Sequence, residues 1–357
     1  MRPASASAAA GPASRSGWLI GSGPDLLFVF GVGAAFSLVL YGCWRTGSGF
    51  LLLAGLFAVL LDFPHVLWTS IRVGLDPQER ALHGRHFLIS LAVIGAAVST
   101  LAALGRFEVV LGVFVVWQVW HVIKQHIGMV SIYAAKGGYR GSRRPVKLLL
   151  AAGCLAPVVY RAAHGLHVGH YAIGGKPLPF SDVSLPVPPV PWLVVVAAYL
   201  AFAIAAGRFA ADQLRRPSGQ RLPGPALITV AVAVAFYNAS YLLISDAYAL
   251  ILIATTFHSL QYHVISWARN RGRFTSPGRT CAGPSGRELL LSRLTCPKSV
   301  VPLGIVLALI GVALAQGELV LAGVVPFTLV LHHFYLDRVL WKPARNPQLA
   351  SDLRLTR

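Results

Sequence analysis

Runs of about twenty apolar residues recur from one end of this chain to the other, and that length is what a helix needs to cross a bilayer. Of 357 residues 55% are hydrophobic and only 12% are charged, about half the charged share of an ordinary soluble domain. In lipid every backbone polar group must be satisfied within the protein, so a spanning chain is a helical bundle or a closed barrel. Continuous apolar runs without strict alternation select the helices. The sequence therefore predicts an all-α, polytopic integral membrane bundle. Ten spans are expected: Asp25–Trp44, Phe50–Val73, His86–Leu104, Val109–Ala134, Lys147–Tyr160, Pro191–Ala206, Gly224–Ser245, Tyr248–Trp267, Ser299–Ala315 and Leu319–Trp341.

The net charge of +19 could suggest a nucleic-acid partner. Its distribution says otherwise. Of 31 Lys and Arg, 26 fall in the two tails and in alternate loops. The opposite loops hold only Arg45, Arg106, Arg161 and Lys176, and Lys124 lies within a span. This is the positive-inside pattern, which places both termini in the cytoplasm. No basic groove interleaved with aromatic residues is visible, so no nucleic acid is expected. Residues 1–20 read as a disordered tail without the apolar core of a secretory signal. Residues 21–345 read as one transmembrane domain, and 346–357 as a C-terminal tail. Within the domain, 161–190 reads as an external Pro-rich loop, a stiff extended cover, and 269–298 as a cytoplasmic basic loop. Cys43, Cys154, Cys281 and Cys296 form no C-x-x-C pair and read as free thiols of a reducing compartment. A bacterial cytoplasmic membrane is the expected location.

Twelve histidines are distributed unevenly. His164, His167 and His170 lie in the external loop and read as surface residues. The other nine fall near the cytoplasmic halves of even-numbered spans, or just after the second. "HVIKQH" carries His121, Lys124, Gln125 and His126. "FHSLQYH" carries His258, Gln261, Tyr262 and His263. "LHHFYLD" carries His332, His333 and Asp337. "DFPH" carries Asp62 and His65, and "HGRH" carries His83 and His86, which read equally as metal ligands or as a solvated loop. Ionisable groups in lipid are expensive unless paired or facing a cavity, and neutral imidazole is the commonest metal ligand. Spans two, four, eight and ten can therefore present His65, His121, His126, His258, His263, His332 and His333 to one cavity. Asp62 and Asp337 would be ligands or would orient imidazoles. So many donors exceed the four that one zinc takes and suit two transition-metal ions, iron first. Lys124, Gln125, Gln261 and Tyr262 are candidates for catalytic or positioning roles, with lipid snorkelling an equal reading for Lys124.

The pairs His121/His126, His258/His263 and His332/Asp337 are each five apart. Five residues turn an α-helix by about 500°, roughly 140° beyond a full circle. Either a π-bulge realigns each pair, or the two members serve opposite sides of a two-metal cluster. Pro64, between Asp62 and His65, predicts a kink.

In character the chain resembles the membrane di-iron oxygenases: fatty-acid desaturases, membrane hydroxylases and alkane monooxygenases, with their histidine boxes. "HGRH" is H-x2-H, "HVIKQH" is H-x4-H, and "LHHFYLD" holds the paired histidines. It also resembles the membrane β-carotene-cleaving dioxygenases, polytopic and rich in histidine. The resemblance implies iron, dioxygen, a lipophilic small-molecule substrate entering from the bilayer, and a redox partner for those reactions that consume electrons. Two other functions fit a histidine-lined bundle: a bis-histidine haem electron carrier, and a metal or proton transporter.

Overall fold

The computed structural model describes residues 17–173, 176–177, 181–185, 187, 189–274, 286–294 and 319–355. The chain is a helical bundle. Seven helices among the described residues are long and apolar enough to cross a membrane: α1 (Ser22–Thr46), α2 (Phe50–Leu75), α3 (Pro77–Ala103), α4 (Phe107–Lys136), α5 (Arg144–Ala163), α6 (Trp192–Arg215) and α7 (Gly224–Leu243). Then come α8 (Ala247–Phe274), α9 (Gly286–Leu294), α10 (Leu319–Leu340) and α11 (Pro347–Asp352). A two-residue antiparallel pair, Ala172–Ile173 with Lys176–Pro177, interrupts the long loop after α5. The expected span Ser299–Ala315 lies outside the described residues.

Several boundaries differ from the sequence reading for identifiable reasons. α3 begins at Pro77 rather than His86, because Asp76 caps it by accepting from the backbone N–H groups of Gln78 and Glu79, with Pro77 in the first turn. α6 runs past Arg208 to Arg215, where Arg216 pairs back to Asp212 at 2.7 Å. The loop expected over 269–298 is partly helical, since α8 continues to Phe274 and α9 follows. Residues 346–352, read as the start of a tail, form a capped helix: Asn346 accepts from Leu349 N–H at 3.0 Å. Leu349, Ala350 and Leu353 are buried. At the other terminus Leu19 is buried and, with Ile20, donates its backbone N–H to Asp25.

α8 is the hub. Every residue from Ile253 to Tyr262 is buried, so this helix is enclosed on all sides. It touches α1, α2, α4, α7 and α11, while α6 packs on α5 and α3 on α10, α2 and α4. Thr256, His258, Ser259, Gln261 and Arg269, which lower its hydropathy, are all carried into the interior.

At the end of the bundle where α2 passes into α3, a buried ionic cluster ties the elements together. Arg269 meets Asp76 at 2.6 Å and Arg273 meets it at 3.1 Å. Arg72 pairs with Glu79, which also accepts from Asn346 at 3.2 Å. Arg269 lies 3.7 Å from Asp352 of α11, and Arg273 lies 3.4 Å from Glu288 of α9. Burial pushes the Asp76 carboxyl up, but the Arg269 and Arg273 guanidiniums outweigh it and hold the group below the usual carboxylate range. Removing one member of such a set leaves an uncompensated buried charge, at a cost of about 3–5 kcal/mol. Gly272 lets α11 dock here: a Cβ on it would run into the Asp352 carbonyl oxygen.

Candidate metal centre

The site sits where α2, α4, α8 and α10 meet. Around this group α2 touches α8, α8 touches α4, α4 touches α10, and α10 touches α2. Each helix contributes one imidazole, in the same cyclic order. The ring centroids of His65 and His258 are 4.9 Å apart, His258 and His121 4.8 Å, His121 and His333 5.0 Å, and His333 and His65 4.9 Å. All four are nearly or fully enclosed. This histidine tetrad lies well inside its helices rather than at their ends. His121 is about fifteen residues from either end of the 30-residue α4, roughly 22 Å at 1.5 Å per residue.

The nitrogen geometry suits a cation. His65 Nε2 and His258 Nε2 face each other at 3.2 Å. Two ligand nitrogens at about 2.05 Å from one ion, at octahedral to tetrahedral angles, lie roughly 2.9–3.4 Å apart. The Nε2 atoms of His121 and His333 are buried without a hydrogen-bond partner. They lie 3.8 and 3.6 Å from Asp337 Oδ2. Donor atoms of His65, His258 and His333 fall within 4.8 Å of one another, as do those of His121, His333 and Asp337.

Surrounding groups orient these donors. Thr69 Oγ1 is 2.8 Å from His333 Nδ1, 2.5 Å from the Tyr262 hydroxyl and 3.2 Å from Asp337 Oδ1. Tyr262 also donates to Asp337 at 3.2 Å. If His333 Nδ1–H donates to Thr69, its Nε2 is left with the lone pair a metal needs. Asp62 stands 3.5 Å from His65 Nδ1, which makes no hydrogen bond, and is itself held by Ser259 Oγ at 2.8 Å. The Gln125 amide donates to the His258 carbonyl at 2.8 Å, bracing α4 against α8.

The remaining sequence candidates lie elsewhere. α4 and α8 stay regular α-helix through their histidine pairs, so the five-residue spacing turns the second member away. His126 packs beside Tyr237 at 6.0 Å, with Gln261 as its neighbour. His263 donates from Nε2 to the Leu61 carbonyl at 2.8 Å and stands edge-on to Trp68. His332, one residue off the inward face, meets the Phe87 carbonyl and Ser90 hydroxyl at 3.1 and 3.0 Å. His83 sits 3.7 Å from Glu79, and His86 is exposed on α3. Lys124 is exposed, with its ammonium 4.6 Å above the Trp120 ring. His170 pairs with Asp182 at 2.7 Å on the far loop. The one π-helical turn near the tetrad is at Ala58–Asp62, just before Pro64. It bends α2 next to His65, where the proline predicts irregularity. Thr69 and Ser259 are site residues that the sequence reading passes over. The available signals are Thr69 four residues after His65, on the same helix face, and Ser259 beside His258.

Beside the tetrad lies a cavity of about 400 Å³. Asp62, His65 and His258 form one end, and its walls include Leu111, Phe114, Val122, Ile251, Phe327 and Val330. Val168 and Leu185 of the 161–190 loop line the other end. No protein family, curated protein or solved structure matches the chain. Fold and site together describe a helical membrane protein with a buried cluster of four imidazoles and one carboxylate opening onto an apolar chamber.

Proposed function

We propose that the chain is a membrane oxidoreductase in which His65, His121, His258, His333 and Asp337 hold one transition-metal ion, iron foremost, next to a chamber for a lipophilic substrate. The observation that carries this reading is the tetrad: four imidazoles from four helices at one depth, with orphaned Nε2 atoms aimed at a carboxylate. With His263 and His332 hydrogen-bonded elsewhere and His126 turned toward Tyr237, the donor set shrinks to five. Five donors leave one position of an octahedral ion open; the same donors also divide into two groups that share His333, which is the arrangement a two-ion site would use. Imidazole and carboxylate without thiolate suit iron among the first-row metals.

When bound, such an ion supplies the activation of dioxygen. The protein's own residues do the rest. Thr69 fixes the tautomer of His333, the Asp62 carboxylate stands beside His65, Tyr262 steadies Asp337, and the apolar walls exclude water and hold the substrate against the tetrad. Hydroxylation or desaturation would take two electrons from a redox partner, whereas cleavage that incorporates both oxygen atoms would take none. We further read the bundle as ten spans with both termini in the cytoplasm of a cell whose cytoplasmic membrane holds it. That reading is supported by the positive-inside pattern and by the lengths of α8 and α10, 28 and 22 residues.

Contact between His65 and His258 at 3.2 Å leaves no space between them for a porphyrin, which counts against the haem reading. Apolar walls beyond the tetrad count against an ion path. The test is metal analysis and an optical spectrum of the full chain purified in lipid nanodiscs. One non-haem ion per chain is expected, lost in His258→Ala and His333→Ala. A Soret band, or metal-free protein under metal-replete conditions, would overturn the proposal.

A further inference from the structure

The shape of the chamber carries more information than its polarity, and its meaning as a substrate site rests on the oxygenase reading. Along α4 the lining residues run from Leu111 to Val122, eleven residues or about 16 Å. Along α8 they run from Tyr248 to His258, about 15 Å by the same rise. The chamber therefore lies parallel to the helices and covers roughly half of a ~30 Å hydrocarbon layer. A volume of about 400 Å³ drawn out over ~16 Å makes a chamber longer than it is wide, the shape of an extended chain rather than of a ring system.

The far end is a fixed stop. Val168 and Leu185 are buried in a cluster with Leu111 and Ala247. The loop segments that carry them are laced together, Val168 N–H to Val183 O at 2.9 Å and Leu185 N–H to Leu166 O at 2.8 Å. Ala247 N–H, at the start of α8, donates to His167 O at 2.8 Å. Asp246 then accepts from Gly169 N–H at 2.6 Å and from the Tyr171 hydroxyl at 2.8 Å. A loop pinned to the first turn of the central helix holds its distance from the tetrad.

We propose that the chamber is a ruler for a single linear apolar chain: the chain's terminal methyl seats against Val168 and Leu185, and the carbon presented to the tetrad is set by its distance from that terminus. Bonds of about 1.5 Å at tetrahedral angles advance about 1.25 Å per carbon, so ~16 Å corresponds to roughly 13 carbons. The substrate class is an unbranched or lightly branched hydrocarbon chain with an apolar terminus and a reactive position about 13 carbons in. Any polar headgroup lies beyond that position.

The experiment is photolabelling of the full chain in phosphatidylcholine nanodiscs with n-alkyl probes of 8 to 18 carbons. Each carries a diazirine at the terminal carbon, and those of 14 carbons or more are also made with the diazirine about twelve carbons further in; labelled peptides are mapped by mass spectrometry. Terminal diazirines should mark the 166–185 loop and the start of α8, and internal ones the α8 segment around His258. Leu111→Trp, which fills the far end, should cut loop labelling at least tenfold, whereas His126→Gln should leave it unchanged. Terminal labels scattered evenly along α4 and α8, or labelling unaffected by Leu111→Trp, would overturn the ruler. Metal content is measured on the same samples. Metal retained without ordered labelling sinks this inference alone, and ordered labelling in metal-free protein sinks the oxygenase reading alone.

Discussion

Replacing Thr69 by valine tests how the centre is held without touching a proposed ligand. Valine keeps the branched shape and deletes one hydroxyl, which in the native protein is within 2.5–3.2 Å of His333, Tyr262 and Asp337. Tyr262 retains Asp337 as a partner at 3.2 Å. His333 Nδ1, in a side chain 1% exposed, retains none of comparable geometry. An orphaned buried donor costs about 1–3 kcal/mol. Loss of an outer partner of a ligating histidine lowers metal affinity by about 10–100-fold, or roughly 1.4–2.8 kcal/mol. The assay is a chelator-competition titration of reconstituted protein, run beside thermal unfolding of the apo form. Expected are a weakening of metal binding in that range and a modest drop in apo stability. Unchanged affinity in Thr69→Val, with the fold intact, would refute the role given to this hydroxyl and weaken His333 as a ligand.

The same geometry makes further predictions. His126→Gln, His263→Gln and His332→Gln should each retain bound metal in elemental analysis, whereas His65→Gln and His121→Gln should lose most of it. Loss in the first three would restore the larger donor set. Gly272→Ala should loosen the docking of α11 by about 1–3 kcal/mol, as overpacking does. Its readout is faster proteolysis of the last dozen residues and a lower melting temperature, and wild-type behaviour would mean the close approach is unimportant. Asp76, depressed in the folded state, contributes stability that is present above its unfolded pKa of about 3.9 and lost as pH falls through its folded value. Melting temperature should therefore show no loss from this group between pH 7 and about 4 and a fall below that. Asp76→Asn should be less stable at neutral pH and should flatten the acid limb; an unchanged acid limb would show that Asp76 does not set it.

The bundle was legible because lipid leaves a chain few choices: long apolar runs and one-sided arginines mark helices whatever their packing. The convergence of four helices was legible too, because nothing else explains imidazoles recurring at one depth. Which imidazole of each pair turns inward was not. Spacing five suggests a bulge or two sides of one cluster, whereas α4 and α8 stay regular and turn His126 and His263 toward Tyr237 and Leu61 instead. His332 and His333 are adjacent in sequence yet face α3 and the tetrad respectively, a difference of about 100° that depends on where α10 is rotated. The ionic cluster around Asp76 was hidden for another reason. Its members come from α2, α3, α8, α9 and α11, and each reads by itself as an ordinary charged residue of a cytoplasmic loop.

The tetrad also sets an order of events in biosynthesis. Thr69 and its partner His333 are 264 residues apart, and at about 5–20 residues per second the second emerges on the order of 13–50 s after the first. In the course of that interval His65, His121 and then His258 enter the membrane as polar groups that lipid disfavours, with the fourth wall of their chamber still unmade. The arrival of α10 ends that exposure. A chain cut short before Leu319 would carry its unpaired imidazoles permanently, marking it for removal by whatever surveys the membrane for unfinished proteins.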